Sequence, residues 1–146
     1  MVDALHRAHS LLIAGGGTII DIHPTPEPAH LEIATGSTFI RVADRLDDGS
    51  AGGPRQRHMA ADAAVESCVS SRLLTREAAT DFTFRTHADS VEELQTYLHT
   101  KWKQLHFAAD DLARAHDRLI RGGDAVVVAE RVRASRLRAR TGASGR

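Results

Sequence analysis

Three consecutive glycines at 15–17 and three alternating prolines at 24, 26 and 28 bracket the six residues Thr18-Ile19-Ile20-Asp21-Ile22-His23. Glycine ends helices and proline cannot donate to a β-ladder, so the bracketed segment reads as a short strand with hard ends. It is β-branched and almost continuously apolar, which predicts burial on both faces, as in a parallel sheet. A strand of that kind needs a sheet around it and helices to cover it. The 146 residues, 42% hydrophobic and 26% charged, supply enough material for one domain with a real core and exclude wholesale disorder.

The remaining pattern fits that demand. Leu5, Ala8, Leu11 and Leu12 recur at helical spacing over residues 2–13. Leu31-Glu32-Ile33 and Thr38-Phe39-Ile40-Arg41-Val42 alternate around Thr35-Gly36-Ser37, a hairpin signal. Residues 47–54 read as a loop, and residues 56–74 as a helix with Val65, Cys68, Val69 and Leu73 on one face. Asp81–His87 alternates strictly, which predicts Phe82 and Phe84 inward and Thr83, Arg85 and His87 outward. Ser90 and Glu93 form a capping box for a helix whose stripe is Val91, Leu94, Leu98, Trp102 and Leu105. A further helix spans about 109–121, and Ala125–Ala129 opens a last strand that runs on toward Val132. The expected class is mixed α/β: a small mixed sheet, with a β-hairpin insertion, covered by helices.

Several function classes drop out. No apolar run approaches the roughly 18 residues needed to span a bilayer, and no signal-peptide order is visible, so a cytoplasmic protein without membrane association is expected. The single Cys68 excludes an internal disulfide framework and a multi-cysteine zinc site, and its apolar helix face predicts a buried, inert thiol. Nine histidines include His6/His9 and His99/His106, but without a nearby carboxylate array, so no metal site is expected. Ser67, Ser70 and Ser71 lack the strand-turn-helix elbow of a serine nucleophile.

The charge is unevenly spread. The last sixteen residues carry six arginines and no acid, whereas the first 130 carry thirteen basic and nineteen acidic residues. Residues 140–146 read as a disordered basic tail, and residues 1–139 as a single domain.

The run Leu11-Leu12-Ile13-Ala14-Gly15-Gly16-Gly17-Thr18-Ile19-Ile20-Asp21-Ile22-His23-Pro24 resembles the L-x-P-G-G-x-L-L stretch entering the fifth strand of class I S-adenosylmethionine-dependent methyltransferases. Ala14 stands where that family has proline. The resemblance makes residues 82–87 the sixth strand and residues 125–132 the seventh, and implies a partial Rossmann-like methyltransferase topology, the C-terminal half of that fold. The family's cofactor loop and acidic partner precede this region, so no cofactor-binding residue is carried over. Gly15–Gly17 follow a helix and precede a strand, the wrong order for a phosphate cradle.

What the resemblance implies is a methyltransferase-like partial domain, non-catalytic on its own. It would act as a structural or interaction module, or as the C-terminal part of a longer methyltransferase. S-adenosylmethionine would bind only if the N-terminal half were supplied. The missing fourth strand would leave one edge of Thr18–His23 open, so a homodimer or a partner protein is expected, burying Val2, Leu5 or the Ile19–Ile22 surface.

Two alternatives come from individual residues. Asp21 and His23, two apart on a strand, share a face and suit acid–base work, and Arg85 with His87 could meet an anion. That makes a stand-alone protein binding a small anionic ligand near Asp21, His23, Arg85 and His87. Alternatively, Arg131, Arg133, Arg136 and Arg138 could give a nucleic-acid accessory protein a phosphate-binding stripe, with Arg131, Arg133 and Ser135 on one strand face. Tyr97 and Trp102 do not interleave with these arginines, so base recognition is not expected.

Overall fold

The glycines and prolines do bracket a strand. In the computed structural model, which describes residues 2–12, 16–44, 53–102 and 106–139, helix α1 (Val2–Leu11) precedes strand β1 (Thr18–Pro24). There follow β2 (His30–Thr35), β3 (Thr38–Asp44), α2 (Pro54–Ser70), β4 (Leu74–Ala88), α3 (Val91–Lys101), α4 (Ala109–Ile120) and β5 (Ala125–Ala139). The expected class, mixed α/β with a hairpin and helical cover, is the one the chain adopts. Leu105, the loop residues 45–52 and the tail 140–146 lie outside the described residues.

β5 organises the sheet. One of its edges is taken over its whole length by β4, with Leu74 opposite Ala139 and Ala88 opposite Val126. The other edge is shared. β1 pairs with residues 132–138, and β2 pairs with residues 125–129, carrying β3 outside it. Every pairing is antiparallel. β1 and β2 therefore act as one long partner strand interrupted by Pro24–Pro28, where proline cannot donate and only Thr25 N–H reaches Arg131 O, at 2.8 Å.

Strand alternation gives the sheet two faces. The front face carries Val126, Val128, Glu130, Val132, Ala134 and Arg136 of β5, and α3 and α4 cover its upper half. The core there joins Leu31, Ile33, Val126 and Val128 to Val91, Leu94, Leu98 and Ala115. The Ser90 hydroxyl accepts the Glu93 N–H at 3.1 Å, so the expected cap starts α3. Gly122, at φ +113°, closes α4, and a Cβ on Gly123 would stand 2.6 Å from Ile33 Cγ2. The back face carries Leu137 and Ala139, on which α1 and α2 pack through Leu5, Ala64, Val65 and Cys68. Burial pushes the Cys68 thiol's pKa up, in keeping with an inert side chain.

Four sequence expectations are corrected. The sheet is antiparallel throughout rather than mixed, and β1 has no parallel neighbour. β1 is not buried on both faces: its antiparallel pairing turns Ile20 and Ile22 to the front, 59% and 61% exposed. Phe82 and Phe84 also point to the front and are 41% and 49% exposed rather than inward. The helix expected to reach residue 74 stops at Ser70, because Leu74 opens β4, a strand of 15 residues rather than seven. Pairing with β5 overrides the helix preference of Arg76-Glu77-Ala78-Ala79.

Candidate functional site

The back face of β1, β4 and β5 carries an ionic cluster, completed by α2. His23 and Asp21 sit on that face because β1 alternates, as the two-residue spacing requires. The His23 Nδ1 lies 2.7 Å from Asp21 Oδ2, and its Nε2 lies 2.9 Å from Asp62 Oδ1 on α2. Opposite His23 in register stands Arg133. Its NH1 donates to Asp62 Oδ1 at 2.9 Å, and its Nε and NH2 donate to the two oxygens of Asp81 at 2.9 and 3.1 Å. That fork is the geometry in which guanidinium–carboxylate pairs are strongest. The Arg133 hydrogen bond holds the Asp81 carboxyl below the usual carboxylate range, against a smaller upward push from desolvation, and Asp81 in turn raises the Arg133 pKa. His58, also on α2, places its Nδ1 3.1 Å from Thr25 O.

A second group lies further along the same face. Glu32 of β2 is buried and accepts from Arg85 Nε at 2.8 Å, with His30 Nε2 at 2.9 Å. Burial raises the Glu32 pKa, but the hydrogen bonds from Arg85 and His30 more than offset it, and the net direction is down. The Arg85 guanidinium stacks 4.0 Å above the Phe39 ring, and His87 meets that ring edge-on at 6.0 Å.

The structure thus brings Asp21 to His23 and places Arg85 near His87, but it does not unite the two pairs. His23 stands opposite Arg133 and Arg85 opposite Ala129, four residues apart on β5, or about 13 Å at strand rise. Asp62, Glu32, His30 and Phe39 are the partners that sequence reasoning missed. The signal for Asp62 was an acid inside the small-residue run Ala60–Val65, beside Ala61 and Ala64, which pack inward.

Chemically, the first group is tied off. Both nitrogens of His23 face carboxylate oxygens, so neither lone pair nor N–H is left for a substrate, and the ring is only 7% exposed. The cluster holds α2 to the sheet. The four arginines of β5 divide between faces: Arg131 and Arg133 at the back, Arg136 and Arg138 at the front. Each meets an acid of this chain. Arg131 approaches Asp81 at 4.0 Å, Arg136 pairs with Glu77 at 3.0 Å, and Arg138 also pairs with Glu77. Among the described residues no group of three or more His, Cys, Asp or Glu is placed to hold a metal ion, and no helix is long and apolar enough to cross a membrane. Compared with protein-family models, curated proteins and solved structures, the chain finds no significant match.

Proposed function

We propose that the chain is a methyltransferase-like partial domain, cytoplasmic and non-catalytic on its own, that works as an interaction module by presenting one face of its sheet to another polypeptide. The carrying observation is the front face. Its upper half is covered by α3 and α4, while its lower half displays Ile20, Ile22, Phe82 and Phe84, each 41% exposed or more. Contiguous apolar surface of this kind, on a folded protein, marks a place where something else packs. The antiparallel pairing of β4 with β5, and β1 beside β5, is compatible with the sixth, seventh and fifth strands that the resemblance expects. Among the described residues β1 is paired on one edge only, by β5, and its other edge is the one on which the resemblance expects a fourth strand.

The dimer surface expected from sequence narrows accordingly. Leu5 is spent inside the α1–α2 core, Ile19 packs against that same core, and the Val2 side chain lies outside the described residues. Ile20 and Ile22 remain. A small anionic ligand is less well served, because Arg85 already serves Glu32, and Asp21 and His23 sit among further carboxylates. A phosphate-binding stripe is less well served too, with the β5 arginines paired internally and split between faces.

Titration calorimetry with S-adenosylmethionine tests the reading. No saturable heat is expected from the 146-residue chain. One-to-one binding in the micromolar range would show a cofactor site within it and overturn the non-catalytic partial-domain reading.

A further inference from the structure

We infer that the free edge of β4 is a self-pairing site, at which two copies of this chain join antiparallel about a two-fold axis normal to the sheet at Thr83. The site is an edge rather than the front face, and its test does not depend on what that face binds. β4 runs 15 residues and, among the described residues, pairs with β5 alone. The direction of its backbone groups follows from β5. Arg131 O accepts the Thr25 N–H at 2.8 Å, and Ala139 N–H donates to Gly17 O at 3.1 Å, so odd-numbered residues of β5 turn their peptide groups toward β1 and β2. Thr83 stands opposite Arg131. In an antiparallel ladder each residue's N–H and C=O point to one side and alternate along the strand. Thr83 therefore turns both groups away from β5, and so do Ala79, Asp81, Arg85 and His87. Such a row is a template for a further strand.

The devices that blunt an edge lie outside this stretch. Residues 78–88 contain no proline or lysine, and the register shift around Glu77 lies below them. By contrast β1 runs into the prolines, and β3 is only seven residues long. Asp81 and Arg85 point to the back face, where Arg133 and Glu32 already neutralise them.

The partner is a second copy because the strand complements itself. In two-fold antiparallel pairing, the residue on the axis sets every other pair. With Thr83 there, Phe82 stands opposite Phe84 of the second copy, and the reverse pair repeats it. Thr80 meets Thr86, Ala78 meets Ala88, and Thr83 meets itself. Phe82 and Phe84 turn their peptide groups toward β5, so their cross-axis pairs are of the non-hydrogen-bonded kind, in which side chains come closest. Aromatic pairs and threonine pairs are among the cross-strand contacts that stabilise a sheet. The two most exposed aromatic side chains of β4 thus acquire partners. An axis at Phe82 or Phe84 would leave one ring of each copy against a threonine. An axis at Asp81 or Arg85 would set like charges opposite one another. At Thr83 those two residues meet each other, and because both have partners within their own chain, the pair is counted only as free of repulsion.

An axis normal to the sheet sets the two sheets side by side, so neither lies over the helices of the other. On the front, α3 packs at Ala88. Across the edge from Ala88 and Thr86 stand Ala78 and Thr80 of the second copy, which are small. On the back, α2 reaches β4 through the Glu66–Arg76 pair, beyond the paired stretch. Residues 79–87 supply on the order of ten inter-strand hydrogen bonds, the number found in a typical specific interface. In strand addition these main-chain bonds, rather than apolar area, give the affinity.

Sedimentation equilibrium on the full chain, from about 1 to 100 μM, tests this. The mass is expected to rise with concentration and level off at twice 15.8 kDa. Thr83→Pro removes an N–H that the single chain does not use, and proline is tolerated where a strand's N–H faces solvent. Circular dichroism should be unaltered while the dissociation constant rises at least about tenfold. Should that variant fold poorly, Phe82→Lys combined with Phe84→Lys, both at exposed positions, sets like charges across the axis and gives the same readout. Thr83→Cys reads the register directly. The two copies of residue 83 stand about 5.5 Å apart between Cα atoms, within disulfide reach, so mild oxidation should link them. Thr80→Cys should not link, since its two copies lie about 20 Å apart along the strands. Cys68 is buried and does not compete. A constant mass of 15.8 kDa at 100 μM overturns the inference, as does a dimer indifferent to both the proline and the double lysine variants. A dimer that Ile22→Lys weakens and Thr83→Pro does not would sit on the front face and overturns it too. Linkage at residue 80 rather than 83 overturns the axis at Thr83. Each of these results is independent of whether S-adenosylmethionine binds.

Discussion

β1, β4 and β5 carry opposite chemistry on their two faces. Toward the back, beneath α2, they turn Asp21, His23, Asp81 and Arg133; toward the front they turn Ile20, Ile22, Phe82 and Phe84. Ordinarily the apolar side of a sheet goes under the helix and the ionic side faces water. Here the ionic side has a partner within the chain, because Asp62 reaches down from α2 to both His23 and Arg133. The front residues continue the apolar surface that α3 and α4 cover higher up, but they remain exposed. The difference separates two uses of one sheet. The charged groups of the back find their partners within the chain, and the lower half of the front is left open.

The largest expected effect contrasts the two halves of the front face. Leu94→Ala empties a fully buried site under α3 and should cost about 3 kcal/mol of folding free energy in urea titrations. Ile22→Ala, on the same face but in the open half, should cost no more than about 0.5 kcal/mol in the monomer at low concentration. A loss at Ile22 as large as that at Leu94, independent of concentration, would mean that the open half is packed within the chain and would break the comparison.

The back face should respond next. Arg133→Met leaves Asp62 and Asp81 without their shared guanidinium and crowds both with Asp21 around His23. A loss of about 2 kcal/mol is expected, below that of a fully buried pair because Arg133 is about a third exposed. Arg133→Lys should recover little of it, since one ammonium cannot fork across Asp81 and reach Asp62.

That same face sets the acid limb of stability. Asp81 and Glu32 both have folded-state pKa values lowered from their ordinary ones. A lowered folded pKa means the unfolded chain binds protons first, so this contribution is complete above the ordinary carboxylate range near pH 4 and is lost as pH falls through the lowered values. Thermal melts between about pH 6 and 2 should show stability falling across that window, and Asp81→Asn should make the fall shallower. An unchanged slope in Asp81→Asn would show that the Arg133 fork contributes nothing to acid stability.

How much of this was legible in the sequence differs by face. The hairpin, the Ser90 cap, the end of α4 and the strand after the glycines follow from local chemistry, and local chemistry is what a sequence displays. The Asp21–His23 pair was legible for the same reason, being two residues apart on one strand. Its partners were not. Asp62 lies 39 residues from His23, and Asp81 lies 52 residues from Arg133, so their meeting depends on register and on where α2 lies. The inward reading of Phe82 and Phe84 failed because alternation divides a strand into two sets without saying which set is covered. The lengths of β4 and β5 were hidden too. Residues 75–80 and 133–138 are rich in Ala, Arg and Glu, and only their mutual pairing makes them strands.

The smallest expected effect probes how well the back face is satisfied. Ser135 lies in β5 opposite Asp21 and is 1% exposed, yet its hydroxyl has no hydrogen-bond partner among the described residues. A buried hydroxyl without a partner keeps the cost of leaving water and gains nothing in return. Ser135→Ala removes that cost, keeps nearly the same volume and leaves no unpaired atom behind, since no partner bonded to the hydroxyl. The change should therefore be neutral or stabilising by up to about 1 kcal/mol, with the m-value unchanged. The outcome discriminates, because the cluster's neighbours are close. A destabilisation of 1 kcal/mol or more would mean that the hydroxyl serves Asp21 or the Arg133–Asp81 pair through bound water. The back face would then be a hydrated network rather than a set of direct ion pairs, and its contrast with the apolar front would sharpen.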